Sequence, residues 1–114
     1  KLPTVAPAAS FRDIVTELTR VNLGAVCVCD EERKLLGLVT DGDIRRYILQ
    51  HDAFEAAARE LMTPNPITVA PEMTLARVLD VMEGKGRQIY IVPVVDAQGL
   101  ALGMVRMHDI VAQG

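Results

Sequence analysis

The chain has 114 residues, of which 50% are apolar and 24% charged, with a formal net charge of −3. That length suits one compact unit with its own core and excludes several large domains. Mixed charge without long runs of one sign excludes a disordered tail and a nucleic-acid footprint, and the longest apolar stretch, Gln88 to Val95, falls far short of the ~20 residues that cross a bilayer.

The chain begins at Lys1 without methionine or a secretory signal, and the expectation is an excised piece of a larger cytoplasmic protein. Thr4-Val5 reads as a short β segment that passes through Pro7 into a helix, with Ser10 at its N-cap and Phe11, Ile14, Val15 and Leu18 spaced by three and four. Strands follow at Ala25 to Cys29 and Leu35 to Val39. Cys27 and Cys29 fall on one face of the first strand, a poor geometry for bridging each other, and read as buried free thiols. Zinc would need two more ligands, and only the widely separated His51 and His108 are on offer. A second helix is expected from about Asp41 to Gln50. The segment "ARELMTPNPITV", Ala58 to Val69, joins the copies, and its Pro64 and Pro66 forbid a continuing helix and force an extended run into the second copy. A β segment at Ile67 to Val69, a helix capped by Thr74, strands at Ile89 to Val95 and Leu102 to Val105, and a helix from near Met107 complete the order.

The chain contains itself twice. Thr4-Val5-Ala6-Pro7 recurs as Thr68-Val69-Ala70-Pro71, Val28-Cys29-Asp30 matches Val94-Val95-Asp96, and Leu36-Gly37-Leu38-Val39 matches Leu102-Gly103-Met104-Val105. The offset grows by two residues within "EGKGRQ", Glu83 to Gln88, where Lys85 and Arg87 add charge. Each β-α-β-β-α copy of about fifty residues has too small a core to stand alone, so the two are expected to pack on each other's sheets, with boundaries at 1–57 and 58–114.

The stretch "GLVTDGDIRRYIL" concentrates the polar chemistry. A calcium loop fails, because Ile44-Arg45-Arg46 follows where further oxygen ligands belong. A facing acid pair also fails, because Asp41 and Asp43 stand two apart at a helix start and point in different directions. No nucleophile constellation is present, so no catalytic residue is assigned. Two readings stay open. Thr40 and Asp43 form a polar cup that takes an anionic oxygen and vicinal hydroxyls at an exposed helix start, or Thr40 and Asp41 merely cap the helix while Asp43 favours its dipole.

"LMTPNPITVAP", "VPVVDAQGLALGMV" and "GLVTDGDI", in order and twice over, resemble a tandem pair of cystathionine-β-synthase (CBS) domains. The finer likeness, in "LTRVNLGAVCVCD", "GLVTDGDIRR" and "GMVRMHDIVAQG", is to the C-terminal CBS pair of arabinose-5-phosphate isomerases of the lipopolysaccharide and capsule pathways. The resemblance implies an α/β fold of two repeats packed sheet to sheet, homodimerisation, and an N-terminal sugar isomerase domain elsewhere in the parent protein. It also implies a regulatory ligand, either AMP, ADP or ATP or a CMP-linked sugar, with no obligatory cofactor or metal and no nucleic-acid or membrane partner.

By the same resemblance Thr40 and Asp43 carry ribose and phosphate contacts, the entries Thr4 and Thr68 join the ligand set, and Gly24 and Tyr90 line the cleft. Tyr90 either stacks on a base or sugar or serves as rim. The second copy departs from the pattern, with Arg106-Met107-His108-Asp109 in place of Thr-Asp-Gly-Asp. Arg106 either grips an anion beside Asp109 or pairs with a carboxylate and leaves that half dead. Two functions therefore stand: a ligand-sensing regulatory module, or a structural dimerisation module with vestigial clefts.

Overall fold

The computed structural model describes residues 2–84 and 89–113, with side chains through residue 110. The first copy comprises β1 (Thr4–Val5), α1 (Phe11–Val21), β2 (Ala25–Cys29), β3 (Leu35–Thr40) and α2 (Asp41–Ile48). A 3₁₀ turn (Ala53–Glu55), α3 (Ala58–Leu61) and β4 (Thr63–Pro64) lead to the second copy: α4 (Leu75–Glu83), β5 (Ile91–Val95), β6 (Ala101–Arg106) and α5 (Met107–Gln113). One sheet has the order β1-β2-β3-β4, with β1 parallel to β2 and the other pairs antiparallel; β5 and β6 form an antiparallel pair.

Local chemistry sets the helix starts. The Ser10 hydroxyl accepts the Asp13 N–H at 3.1 Å, and Thr74 does the same for Arg77 at 3.2 Å, each satisfying a donor the helix cannot. Asn22 ends α1 in the left-handed conformation, its N–H bonding the Leu18 carbonyl. Helix α2 stops at Ile48, two residues short of the expected end, and Gln50 and His51 instead turn back on the Tyr47 carbonyl.

All five residues of β2 are buried, because its sheet is covered on both faces. Val28, with Val39 of β3, packs with Ile14 of α1 and with Ala56, Ala58 and Leu61, so the segment after α2 closes the core of the first copy. Ala25, Cys27, Cys29 and Leu38 face the other way, onto Ala101, Ile91 and Met104 of the second copy. This is the sheet-to-sheet contact, and the two thiols lie within it. Desolvation there pushes the Cys27 thiol up to about 12. Val69, Val78, Met82 and Val92 form the core of the second copy.

The two copies meet about a pseudo-twofold axis that is visible in the hydrogen bonds. Leu35 N–H donates to the Gly99 carbonyl, and Ala101 N–H to the Arg33 carbonyl, each at 3.0 Å. Under the repeat correspondence these are the same bond made twice, with Lys34 bridging Leu100, its own counterpart. Asp30 and Asp96 shape the two hairpin tips identically: each carboxylate accepts backbone N–H groups two and four residues on.

The copies differ where the second β segment was expected. Ile67 to Val69 is reduced to a single parallel bridge, Val69 to Val94, equivalent to Val5 opposite Val28. In the first copy Cys27 N–H also reaches the Pro3 carbonyl at 3.0 Å. Pro93 stands at that position in the second and has no N–H to give.

Strand β4 approaches β3 closely. A Cβ on Gly37 would lie 2.8 Å from Met62 Cγ and 3.0 Å from the Thr63 carbonyl oxygen, so only glycine lets this segment cross the sheet edge. That crossing brings Thr63 beside the start of α2.

Candidate functional site

A cleft of about 980 Å³ opens between the copies and straddles the pseudo-twofold axis. Counterpart positions face each other across it: Gly24 and Tyr90, Thr40 and Arg106, Gly42 and His108. The chain enters each helix from the same anchor, with Asp41 N–H on the Gly24 carbonyl at 3.3 Å and Met107 N–H on the Tyr90 carbonyl at 2.7 Å. Gly24 has φ of +87°, a left-handed conformation that glycine adopts without strain.

The first half of the cleft is built around Asp43. Its Oδ2 accepts the Thr40 N–H at 2.9 Å while the Thr40 hydroxyl accepts the Asp43 N–H at 3.1 Å, a reciprocal capping box. Its Oδ1 accepts Arg46 Nη2 at 2.6 Å and the Thr63 hydroxyl at 3.2 Å. Asp43 is 9% exposed. The expected exposed helix start is therefore corrected: β4 folds over the carboxylate and buries it. The capping interaction is present, and the hydroxyl of Thr40 still lines the cleft beside Asp41, Arg45 and Arg46. Pro66 and Ile67, from the segment that joins the copies, also line the cleft.

The second half carries other chemistry on the same frame. Arg106 binds Asp109 through two parallel bonds, Nε to Oδ2 at 3.0 Å and Nη2 to Oδ1 at 2.9 Å. The hydrogen bond to the guanidinium holds the Asp109 carboxyl below the usual aspartate value and raises Arg106 in turn. Both aspartates of the repeated signature are thus matched by an arginine of their own copy, Asp43 by Arg46 and Asp109 by Arg106.

Thr40, Asp43, Arg106, Gly24 and Tyr90 line the one cleft, and Asp109 stands behind Arg106 without lining it. Thr4 and Thr68 are not brought there. Strand β1 is the opposite edge of the sheet from β4, and Thr4 opens onto a separate recess of about 560 Å³ beside Arg33 and Arg59. Thr68 is half-buried next to the Val69 bridge. Tyr90 is 64% exposed at the cleft wall, which leaves its ring open for stacking. Lys85 and Arg87 lie outside the described residues. Sequence reasoning missed Thr63 and Arg46 as parts of the site. The spacing of Arg46 three residues after Asp43 was the available signal for one; the contact from Thr63 is long-range and left none.

Among the described residues no cluster of three metal-ligating side chains occurs, and no helix is long and apolar enough to cross a membrane.

The family model for the CBS domain matches residues 1–50 and again 58–113. Arabinose 5-phosphate isomerase KdsD of Yersinia pestis is 38% identical over 115 residues, which span 100% of this chain and 34% of that protein. The chain thus spans about a third of the length of the curated relatives it matches. Among solved structures, the CBS domain pair of protein MJ0100 in complex with 5′-methylthioadenosine and S-adenosyl-L-methionine superposes with a TM-score of 0.86 at 27% identity, covering 99% of this chain and 87% of that one. CBSX2 of Arabidopsis thaliana in complex with AMP gives a TM-score of 0.74 at 26% identity, covering 98% and 86%.

Proposed function

The chain belongs to the CBS domain family, as a tandem pair, and from that premise we propose that it is a non-catalytic regulatory module that binds an adenine nucleotide or a nucleotide-linked sugar in the cleft between its repeats. The observation that carries this reading is the convergence of Thr40, Asp43 and Arg106, from both repeats, on one cleft. An amino end of a helix with a hydroxyl suits a phosphate, a carboxylate suits a hydroxyl pair, and the exposed ring of Tyr90 suits a base. The bound adenosine derivatives of the solved neighbours favour the same ligand class.

The parent protein in this proposal is an arabinose-5-phosphate isomerase of lipopolysaccharide or capsule synthesis, with the sugar isomerase domain N-terminal to the pair. The identity to KdsD along the whole chain supports it. Two free thiols in the core favour a cytoplasmic setting. In this proposal the repeats divide in sequence at 57/58, a division supported by the gap between the two matched segments, while Ala58 and Leu61 still pack in the core of the first copy. Homodimerisation belongs to the same proposal, supported by apolar side chains the chain leaves uncovered, Leu49 at 84% and Phe54 at 80% exposure.

A thermal unfolding series with AMP, ATP and a CMP-linked sugar tests the binding reading. A ligand selective for the folded cleft raises the melting temperature by an amount set by RT ln(1 + [L]/Kd). If none of the three shifts it at millimolar concentration, a structural dimerisation module is the better account.

A further inference from the structure

Resting on the ligand-binding reading, we infer that Arg46 is the selectivity element of the cleft: it occupies Asp43 when the cleft is empty and passes to the anionic group of a ligand when one enters. Three donors hold the Asp43 carboxylate. The Thr40 N–H belongs to the helix start and the Thr63 hydroxyl to β4, both fixed by backbone pairing. Arg46 is the exception. Its side chain is 72% exposed, and it can swing away without breaking any element.

Its position gives that swing a direction. The guanidinium folds back over the amino end of its own helix, where Nη1 would lie 3.3 Å from a Cβ on Gly42 and the Thr40 hydroxyl 3.6 Å from it. A cation there is opposed by the helix dipole, and the carboxylate of Asp43 holds it in place. An anion arriving at the same point satisfies both the helix end and the guanidinium. It thereby frees the Oδ1 lone pair of Asp43 that a ligand hydroxyl needs.

A neutral nucleoside has to compete with Arg46 for Asp43 and offers the guanidinium nothing in return. A nucleoside monophosphate replaces the partner it removes. Arg46 therefore raises the preference for the anionic ligand from both sides, by excluding the neutral one and by gripping the charged one. An ordinary exposed pair three residues apart on a helix would do neither.

Calorimetric titration of wild type, Arg46→Gln and Arg46→Lys with AMP and with adenosine tests this. The expected result is a crossed effect in Arg46→Gln: AMP weakens by about tenfold while adenosine tightens by about threefold, with Arg46→Lys restoring most of the AMP affinity. Unfolding curves of each variant establish that the fold is intact at the temperature used. An unchanged AMP-to-adenosine ratio in Arg46→Gln, or parallel weakening of both ligands, overturns the role of Arg46 and leaves the cleft as a ligand site. Failure of wild type to bind either compound at millimolar concentration overturns the ligand-binding reading, and the role of Arg46 with it.

Discussion

Asp43 and Thr63, separated by twenty residues, are joined by a hydrogen bond of 3.2 Å from the Thr63 hydroxyl to the Asp43 carboxylate. It ties the signature helix of the first repeat to the strand that leads into the second. In the proposed function, a ligand that engages Asp43 therefore acts on the connection between the repeats.

Removing either end of that bond is predicted to destabilise the fold. Thr63→Val takes one donor from a buried carboxylate, at a cost of about 1 kcal/mol, and Asp43→Asn weakens the cap as well, for about 1–3 kcal/mol. Urea unfolding of the two variants and their double mutant checks this. A double mutant that loses less than the sum is expected, because the two side chains share the bond. Strict additivity would show that they act independently.

A gain of stability is expected at Arg33. It has φ of +71°, whereas its repeat counterpart Gly99 takes +85° in the same hairpin tip. Replacing a strained side chain by glycine there should stabilise by up to about 1 kcal/mol, net of the entropy glycine adds to the unfolded chain. A lower urea midpoint for Arg33→Gly would refute the reasoning.

Gly37→Ala should act in the opposite sense. The added methyl meets the Thr63 carbonyl oxygen and the Met62 side chain, and pushing β4 off the sheet edge costs about 1–3 kcal/mol. Because Thr63 sits on the displaced strand, AMP binding should weaken in the same variant, as titration beside the unfolding curve would reveal.

Burial of Cys27 sets a pH dependence. The unfolded thiol ionises near its ordinary value of 9.0, while the folded one is held up to about 12. The unfolded state thus releases its proton first, and stability declines as pH rises from about 9 towards 12. Cys27→Ala should flatten that decline in urea midpoints measured between neutral and alkaline pH. An unaltered slope would assign it to other groups.

Much of this molecule was legible in the order of its residues. The repeat, the caps at Ser10 and Thr74 and the burial of Cys27 and Cys29 on one face of β2 follow from local pattern, because helix and strand periods place side chains regardless of distant contacts. The cleft was legible only in part. Thr40, Asp43, Gly24, Tyr90 and Arg106 line it, but the burial of Asp43 depends on β4 pairing across Gly37, which no local signal encodes. The lost β segment at Ile67 to Val69 traces to the imino nitrogen of Pro93, on a different strand. Thr4 lies away from the cleft because β1 is the sheet edge opposite β4, and strand order is a long-range property that local pattern does not encode.

Calorimetric titration of AMP into wild type and Asp43→Asn, at a temperature where both are folded, tests the proposed cleft most directly. The account predicts saturable binding to wild type and a loss of about ten- to a hundredfold in affinity for Asp43→Asn, the cost of a charge-assisted pair of hydrogen bonds. Equal affinity in the two proteins, or no binding heat from wild type at millimolar AMP, would contradict it.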